Sequence, residues 1–167
     1  RPMRSVRLPG LGEGPVGKIL GIGTNYASHA KEMGSPIGGD PVVFLKPSTA
    51  LLEDGGVIRP PGEGHELHHE VELVAAIGLS GFRIPFEKAL DHVAAYAVGL
   101  DLTLRDLQLV AKQKGRPWAL AKGFDTSAPV SAFRAAAEVP DPGNVALTLT
   151  VNGQIRQSGS TADMIVP

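Results

Sequence analysis

"HELHHEVELVAAIGL", residues 65–79, contains two competing instructions. From Glu70 onward Glu70 and Glu72 fall on one side and Val71 and Leu73 on the other, and an apolar run then leads into Gly78. A period of two is the signature of a β-strand. The same stretch opens with H-E-x-x-H (His65, Glu66, His69), the zinc pattern of helical metalloproteases. That chemistry needs both histidines one turn apart on a helix. "RPPGEG" immediately upstream cannot be helical, and the residues downstream are extended. The strand reading therefore prevails. His65, His68 and His69 become loop and strand-edge residues, and any metal belongs to Glu70 and Glu72.

Working outward, "GKILGIGTNY" predicts a buried strand ending at Gly23, and "NYASHAKEMG" a short helix stopped by Gly34. "PVVFLKPSTAL" predicts a strand cut short by Pro47, and "LEDGGVIRPPGEG" turns with a hairpin-like Asp-Gly-Gly. "PFEKALDHVAAY" predicts a helix with Ala89, Val93 and Tyr96 on one side. "AVGLDLT" predicts a strand running into Asp101, and "LRDLQLVAKQKG" a helix ending at Gly115. The tail alternates through Val145, Leu147, Leu149 and Val151 and turns at Asn152-Gly153, the strongest hairpin signal in the chain. The expected fold class is α+β, mainly β, with short helices.

The 167 residues suffice for one domain with a hydrophobic core. A net charge of -1 argues against nucleic acid or an acidic membrane surface as partner. Without cysteine there are no disulfides, thiolate zinc sites or cysteine nucleophiles. No run of 18 apolar residues occurs, and "RPMRSVRLPG" lacks the apolar core of a signal peptide, so the expected location is the cytoplasm.

A lone E-x-E is by default a solvated strand face. Here a third acid, Asp101, closes the apolar run "AYAVGLD". Three carboxylates without a soft ligand specify a hard cation, Mg²⁺ or alternatively Mn²⁺. His29 and Glu32, spaced i, i+3, can pair so that the carboxylate orients the imidazole as a general base. Arg105 and Gln108, also i, i+3, can clamp a substrate carboxylate. Lys46 and Lys122 stand in apolar or glycine-rich company, where a lysine ordinarily snorkels to solvent.

"GIGTNYASHAKE", "FLKPSTALL", "HHEVELVAAIG", "GLDLTLRDLQ", "PWALAKGFDTSAPV" and "VNGQIRQSGSTADMI", in this order, resemble the fumarylacetoacetate hydrolase family. The acylpyruvate hydrolase and oxaloacetate decarboxylase branch is the nearest. The resemblance covers residues 17–167 and leaves 1–16 as an N-terminal extension. It implies a mixed β-sandwich roll, usually a homodimer, that continues for roughly fifty residues past Pro167. It also implies metal ligands at Glu70, Glu72 and Asp101, a catalytic dyad at His29 and Glu32, an active-site lysine at Lys122, and substrate contacts at Arg105 and Gln108. The implied activity is Mg²⁺-dependent C–C hydrolysis of acylpyruvates, or decarboxylation of oxaloacetate, through a metal-stabilised enolate of a small 2-oxo acid. Isomerase or tautomerase chemistry on the same enols is the alternative, and a non-catalytic binding subunit is the alternative of another class. Thr24 departs from the family, whose members carry arginine there.

Overall fold

The protein was obtained as a computed structural model that describes residues 4–26 and 41–167. The expected helix around His29 and Glu32 lies outside the described residues. The chain begins with a hairpin of β1 (Ser5–Leu8) and β2 (Gly12–Pro15), followed by a two-stranded ribbon of β3 (Ile19–Gly23) and β4 (Val42–Lys46). Next come β5 (Leu51–Glu53), β6 (Leu67–His68), β7 (Val71–Ile77), β8 (Val93–Leu100) and β9 (Thr103–Leu104). Helices α1 (Arg105–Gln113) and α2 (Ala119–Lys122) precede β10 (Ala128–Val130), β11 (Arg134–Ala135) and a closing hairpin of β12 (Ala146–Val151) and β13 (Gln154–Ser160). Strands dominate and the helices are short, as the patterning predicts. Among the described residues no helix is long and apolar enough to cross a membrane.

Strand β8 is the spine of the main sheet. On one side it pairs antiparallel with β7, from Val71↔Leu100 to Ile77↔Val93. On the other it pairs with β11 at Tyr96 and with β10 at Gly99. Strand β10 then carries β5 in parallel, with Ala128 opposite Leu51. The core lies along this spine and the segment after it: Ala95, Tyr96, Ala97, Leu102 and Leu104 are all buried.

The β7–β8 ladder does not end at Val71. It resumes in the same register as β6–β9, with His68 opposite Thr103 and Leu67 opposite Leu104. Between the two ladders Glu70 faces Asp101, joined by the Asp101 N–H donating to Glu70 O at 2.8 Å. The interrupted ladder thus presents one carboxylate from each strand.

Three local expectations change. Strand β3 forms but is not buried: Leu20 and Ile22 are exposed. The stretch from Pro85 to Tyr96 is not one helix: Phe86–His92 forms a 3₁₀ helix and Val93 starts β8. The N–H groups of Gly78 and Leu79 donate to His92 O at 2.9 and 3.4 Å, and β-branched Val93 then joins the ladder opposite Ile77. Tertiary pairing outweighs a modest helical preference here. The Asp54-Gly55-Gly56 segment does turn, with Gly55 at φ +76 and Gly56 N–H donating to Glu53 O at 3.0 Å. It makes no hairpin, because the partner of β5 is the distant β10. By contrast Asn152 and Gly153 both take positive φ, 51 and 76, as the two-residue hairpin turn requires.

Candidate active site

A cluster of buried charge surrounds the break in the ladder. Lys46, Glu70, Arg105, Gln108 and Lys122 are all buried, although four of the five carry charge. They arrive from separate parts of the chain. Glu70 and Asp101 sit at the break, Lys46 ends β4, Arg105 and Gln108 form the buried face of α1, and Lys122 closes α2.

Lys122 is the hub. Its Nζ donates to Glu70 Oε2 at 2.8 Å and to Asp101 Oδ2 at 2.5 Å, bridging the two carboxylates. It also lies 4.9 Å from the centroid of the Phe44 ring, within cation–π range. That ring is tilted against Trp118 at 5.8 Å and its far end packs on Gly21, where an added Cβ would sit 2.2 Å from Phe44 Cζ. Gly21 is thus needed for a close approach, and through Phe44 it fixes the floor beneath Lys122.

Arg105 completes the other side. Its guanidinium donates to Glu70 Oε1 at 2.8 Å, to Gln108 Oε1 at 2.6 Å and, through Nε, to His68 Nδ1 at 3.3 Å. Arg105 and Gln108 therefore share a face as their spacing predicts, but they also bond to each other.

Lys46 does not snorkel. Its ammonium donates to the carbonyls of Leu102, Lys122 and Ser127 and to Ser127 Oγ, at 2.5 to 3.1 Å. It also lies 2.8 Å from Asp101 Oδ1. The three N–H groups are shared among these oxygens, and the contact with the buried Asp101 Oδ1 is an ion pair. Burial lowers the Lys46 pKa, against the opposing pull of Asp101. Sequence reading singled this lysine out but expected it to snorkel. Its signal, a lysine ending an apolar strand, is the same one a snorkelling lysine gives.

Glu72 lies half-buried on β7 opposite Gly99. Burial first, and then the charges of Asp101 and Glu70, push its carboxyl up from 4.5 to about 8. Burial likewise raises Asp101, opposed by Lys122 and Lys46. Among the described residues no three acidic or histidine side chains are grouped as ligands of one ion, and the positive charge between Glu70 and Asp101 is the Lys122 ammonium. The chemistry of the donor set still suits a hard cation: it is all oxygen, and Glu72 resists ionising without added positive charge. Tyr26, which sequence reading passed over, is near enough for Glu72 to raise its pKa, after burial.

The histidines of the zinc-like pattern part company. His65 Nδ1 meets Asp106 Oδ2 at 2.7 Å, while His69 Nδ1 meets Gln157 Oε1 at 3.3 Å. Strand β6 runs between them, so they cannot act as one helical pair. His29 and Glu32 lie outside the described residues. Thr24, at the near edge of that segment, holds φ +60, rare for a β-branched residue, with its hydroxyl donating to Gly23 O at 2.7 Å.

The profile of the fumarylacetoacetate (FAA) hydrolase C-terminal domain matches residues 18–167, nearly the whole chain. The chain belongs to the fumarylacetoacetate hydrolase family. Within that family it is 49% identical over 148 residues to the mitochondrial oxaloacetate tautomerase FAHD1 of Arabidopsis thaliana, covering 89% of this chain and 66% of that protein. It is 48% identical over 152 residues to the oxaloacetate tautomerase YcgM of Escherichia coli (strain K12), covering 90% of this chain and 69% of that one. Its fold matches the crystal structure of fumarylpyruvate hydrolase from Pseudomonas aeruginosa, solved with Mn²⁺ and pyruvate, with a TM-score of 0.88 and 40% identity over 98% of this chain and 72% of that chain. The chain thus spans about two thirds of the length of the curated relatives it matches. The β-roll expected for the family is the fold observed.

Proposed function

We propose that this chain performs enolate chemistry on a small 2-oxo acid bearing a second carbonyl or carboxyl group at the β position, with Mg²⁺ or Mn²⁺ as cofactor. The observation that carries the reading is the buried array of Lys122 bridging Glu70 and Asp101, flanked by Arg105 and Gln108. Burying several charges together is no efficient route to stability, since apolar residues of similar volume do as well or better. Such an array has its use when a charged ligand is handled there.

Glu70, Glu72 and Asp101 would hold the cation, whose Lewis acidity withdraws electrons from the 2-oxo group. The Lys122 ammonium would balance negative charge developing on the substrate oxygen. Arg105 and Gln108 would orient the substrate carboxylate. His29, paired with Glu32, would move the proton. The names of the relatives nearly half identical to this chain favour keto–enol exchange of oxaloacetate, in which a C3 proton leaves and returns. The Pseudomonas aeruginosa hydrolase structure supports a second route to such an enolate, in which water adds to the distal carbonyl of an acylpyruvate and the breaking C–C bond leaves its electron pair on the pyruvate enolate. Loss of CO₂ from oxaloacetate would generate the same enolate.

The test is turnover by the purified chain, with Mg²⁺ or Mn²⁺ and after chelation. Enol–keto exchange of oxaloacetate, its decarboxylation and acetylpyruvate cleavage are followed separately by ultraviolet absorbance and product assay. Metal-dependent turnover in at least one assay is expected, and Glu70→Ala should abolish it. Inactivity of the metal-loaded chain in all three would overturn the reading. If His29→Ala stops only acylpyruvate cleavage, water activation is its role; if it stops enol–keto exchange as well, it is the proton carrier for both.

A further inference from the structure

His68 belongs to the residues set aside with the zinc-like pattern, yet it reaches the site through Arg105. Strand β6 places it opposite Thr103, beside the break in the ladder. Its Nε2 lies 2.7 Å from Glu66 Oε1, and its Nδ1 accepts the Arg105 Nε–H at 3.3 Å. The side chains pass from surface to interior in order, Glu66 62% exposed, His68 34% and Arg105 8%. The backbone closes the loop, with Arg105 N–H donating to Glu66 O at 2.8 Å.

The chemistry of the donors decides the tautomer. A guanidinium N–H can only donate, so Nδ1 of His68 must present a lone pair, and the ring proton sits on Nε2, where Glu66 accepts it. The arrangement has the logic of a carboxylate–imidazole pair orienting a third group, except that the group oriented is a cation. We propose that His68, backed by Glu66, is a positioning residue for the active site: its Nδ1 lone pair fixes the Arg105 guanidinium plane that addresses Glu70 and Gln108. Three acceptors, His68, Gln108 and Glu70, then hold three sides of one planar fork. Removing the His68 corner frees that plane to rotate about its stem.

This inference rests on the reading of Arg105 and Gln108 as the carboxylate-orienting pair, and its test has one arm independent of that reading. In the metal-loaded chain, long-range ¹⁵N–¹H correlation reports the His68 tautomer, and the Arg105 Nε–H signal reports its hydrogen bond. Expected are an Nε2-protonated ring and an Arg105 Nε–H protected from exchange, lost in His68→Leu and restored in His68→Asn, whose amide oxygen can occupy the place of Nδ1. A His68 ring protonated on Nδ1, or Arg105 signals unchanged in His68→Leu, overturns the proposal whatever the enzyme's activity. The second arm is kinetic. His68→Leu should raise KM for the 2-oxo acid by about tenfold, with a smaller change in kcat, and His68→Asn should recover most of the loss. Equal KM in His68→Leu and wild type overturns the positioning role. A wild-type chain that turns over none of these acids, while its His68 and Arg105 signals behave as expected, removes the functional reading and leaves the His68–Arg105 geometry standing.

Discussion

Lys46 Nζ stands 2.8 Å from Asp101 Oδ1, two residues brought together from the end of one ribbon and the end of another sheet's central strand. The same ammonium donates to the carbonyls of Leu102, Lys122 and Ser127, so one buried side chain ties the Asp101 segment to the Lys122 helix. Deleting one partner of a buried ion pair leaves an uncompensated charge, which costs about 3–5 kcal/mol. Lys46→Met should therefore lower stability by about that amount in urea melts. In an Asp101→Asn background, where that contact is already gone and Asp101 no longer meets Lys46 or Lys122 as an anion, Lys46→Met should cost less than in the wild type; full additivity of the two losses would sink this account.

The pH dependence follows from Glu72. Its carboxyl ionises near the ordinary 4.5 in the unfolded chain but only at about 8 in the metal-free fold. Between those values the folded state holds a proton the unfolded state has released. Stability of the metal-free protein is therefore greatest below that window and falls as pH rises through it. A divalent cation beside Glu72 supplies the missing positive charge, so stabilisation by Mg²⁺ or Mn²⁺ should grow over the same window. Thermal melts with and without metal, from about pH 5 to about pH 8, read this directly. Glu72→Gln should flatten the metal-free pH dependence.

Gly21 offers a third test. Alanine there would place a Cβ 2.2 Å from Phe44 Cζ, so the ring must leave the floor beneath Lys122. Overpacking of this kind costs about 1–3 kcal/mol. Gly21→Ala should lose that stability together with a larger share of any activity, and Phe44→Leu in the same chain should restore stability but not the aromatic contact. Circular dichroism melts beside turnover assays separate the two effects.

The closing hairpin should behave independently of charge. Gly153→Ala forces a side chain into φ +76, at a cost of about 1–2 kcal/mol. The hairpin also braces the site, because Gln157 Oε1 accepts the Val71 N–H at 3.0 Å. Faster amide exchange at Val71 in Gln157→Ala, with the β12–β13 amides unchanged, is the expected outcome.

Much was written locally. The alternation from Glu70 to Ile77, the apolar run into Asp101, the i, i+3 pairing of Arg105 and Gln108 and the Asn152-Gly153 turn each act over a few residues, and each appears in the fold. Periodicity could not place Lys46. On β4 the pattern invites Val43 and Leu45 inward, yet they are exposed and Lys46 is buried. The inversion follows from the oxygens that meet Lys46, contributed by Asp101, Leu102, Lys122 and Ser127, all more than fifty residues away. The sequence by itself determined the family, the strand-rich class and the acids that flank the break in the ladder. Only the tertiary structure decided that Lys122 bridges Glu70 and Asp101, that Lys46 faces inward and that His68 serves Arg105. Those outcomes depend on which distant donors and acceptors become neighbours when the ladders align, since a buried charge is tolerated only where such partners meet it.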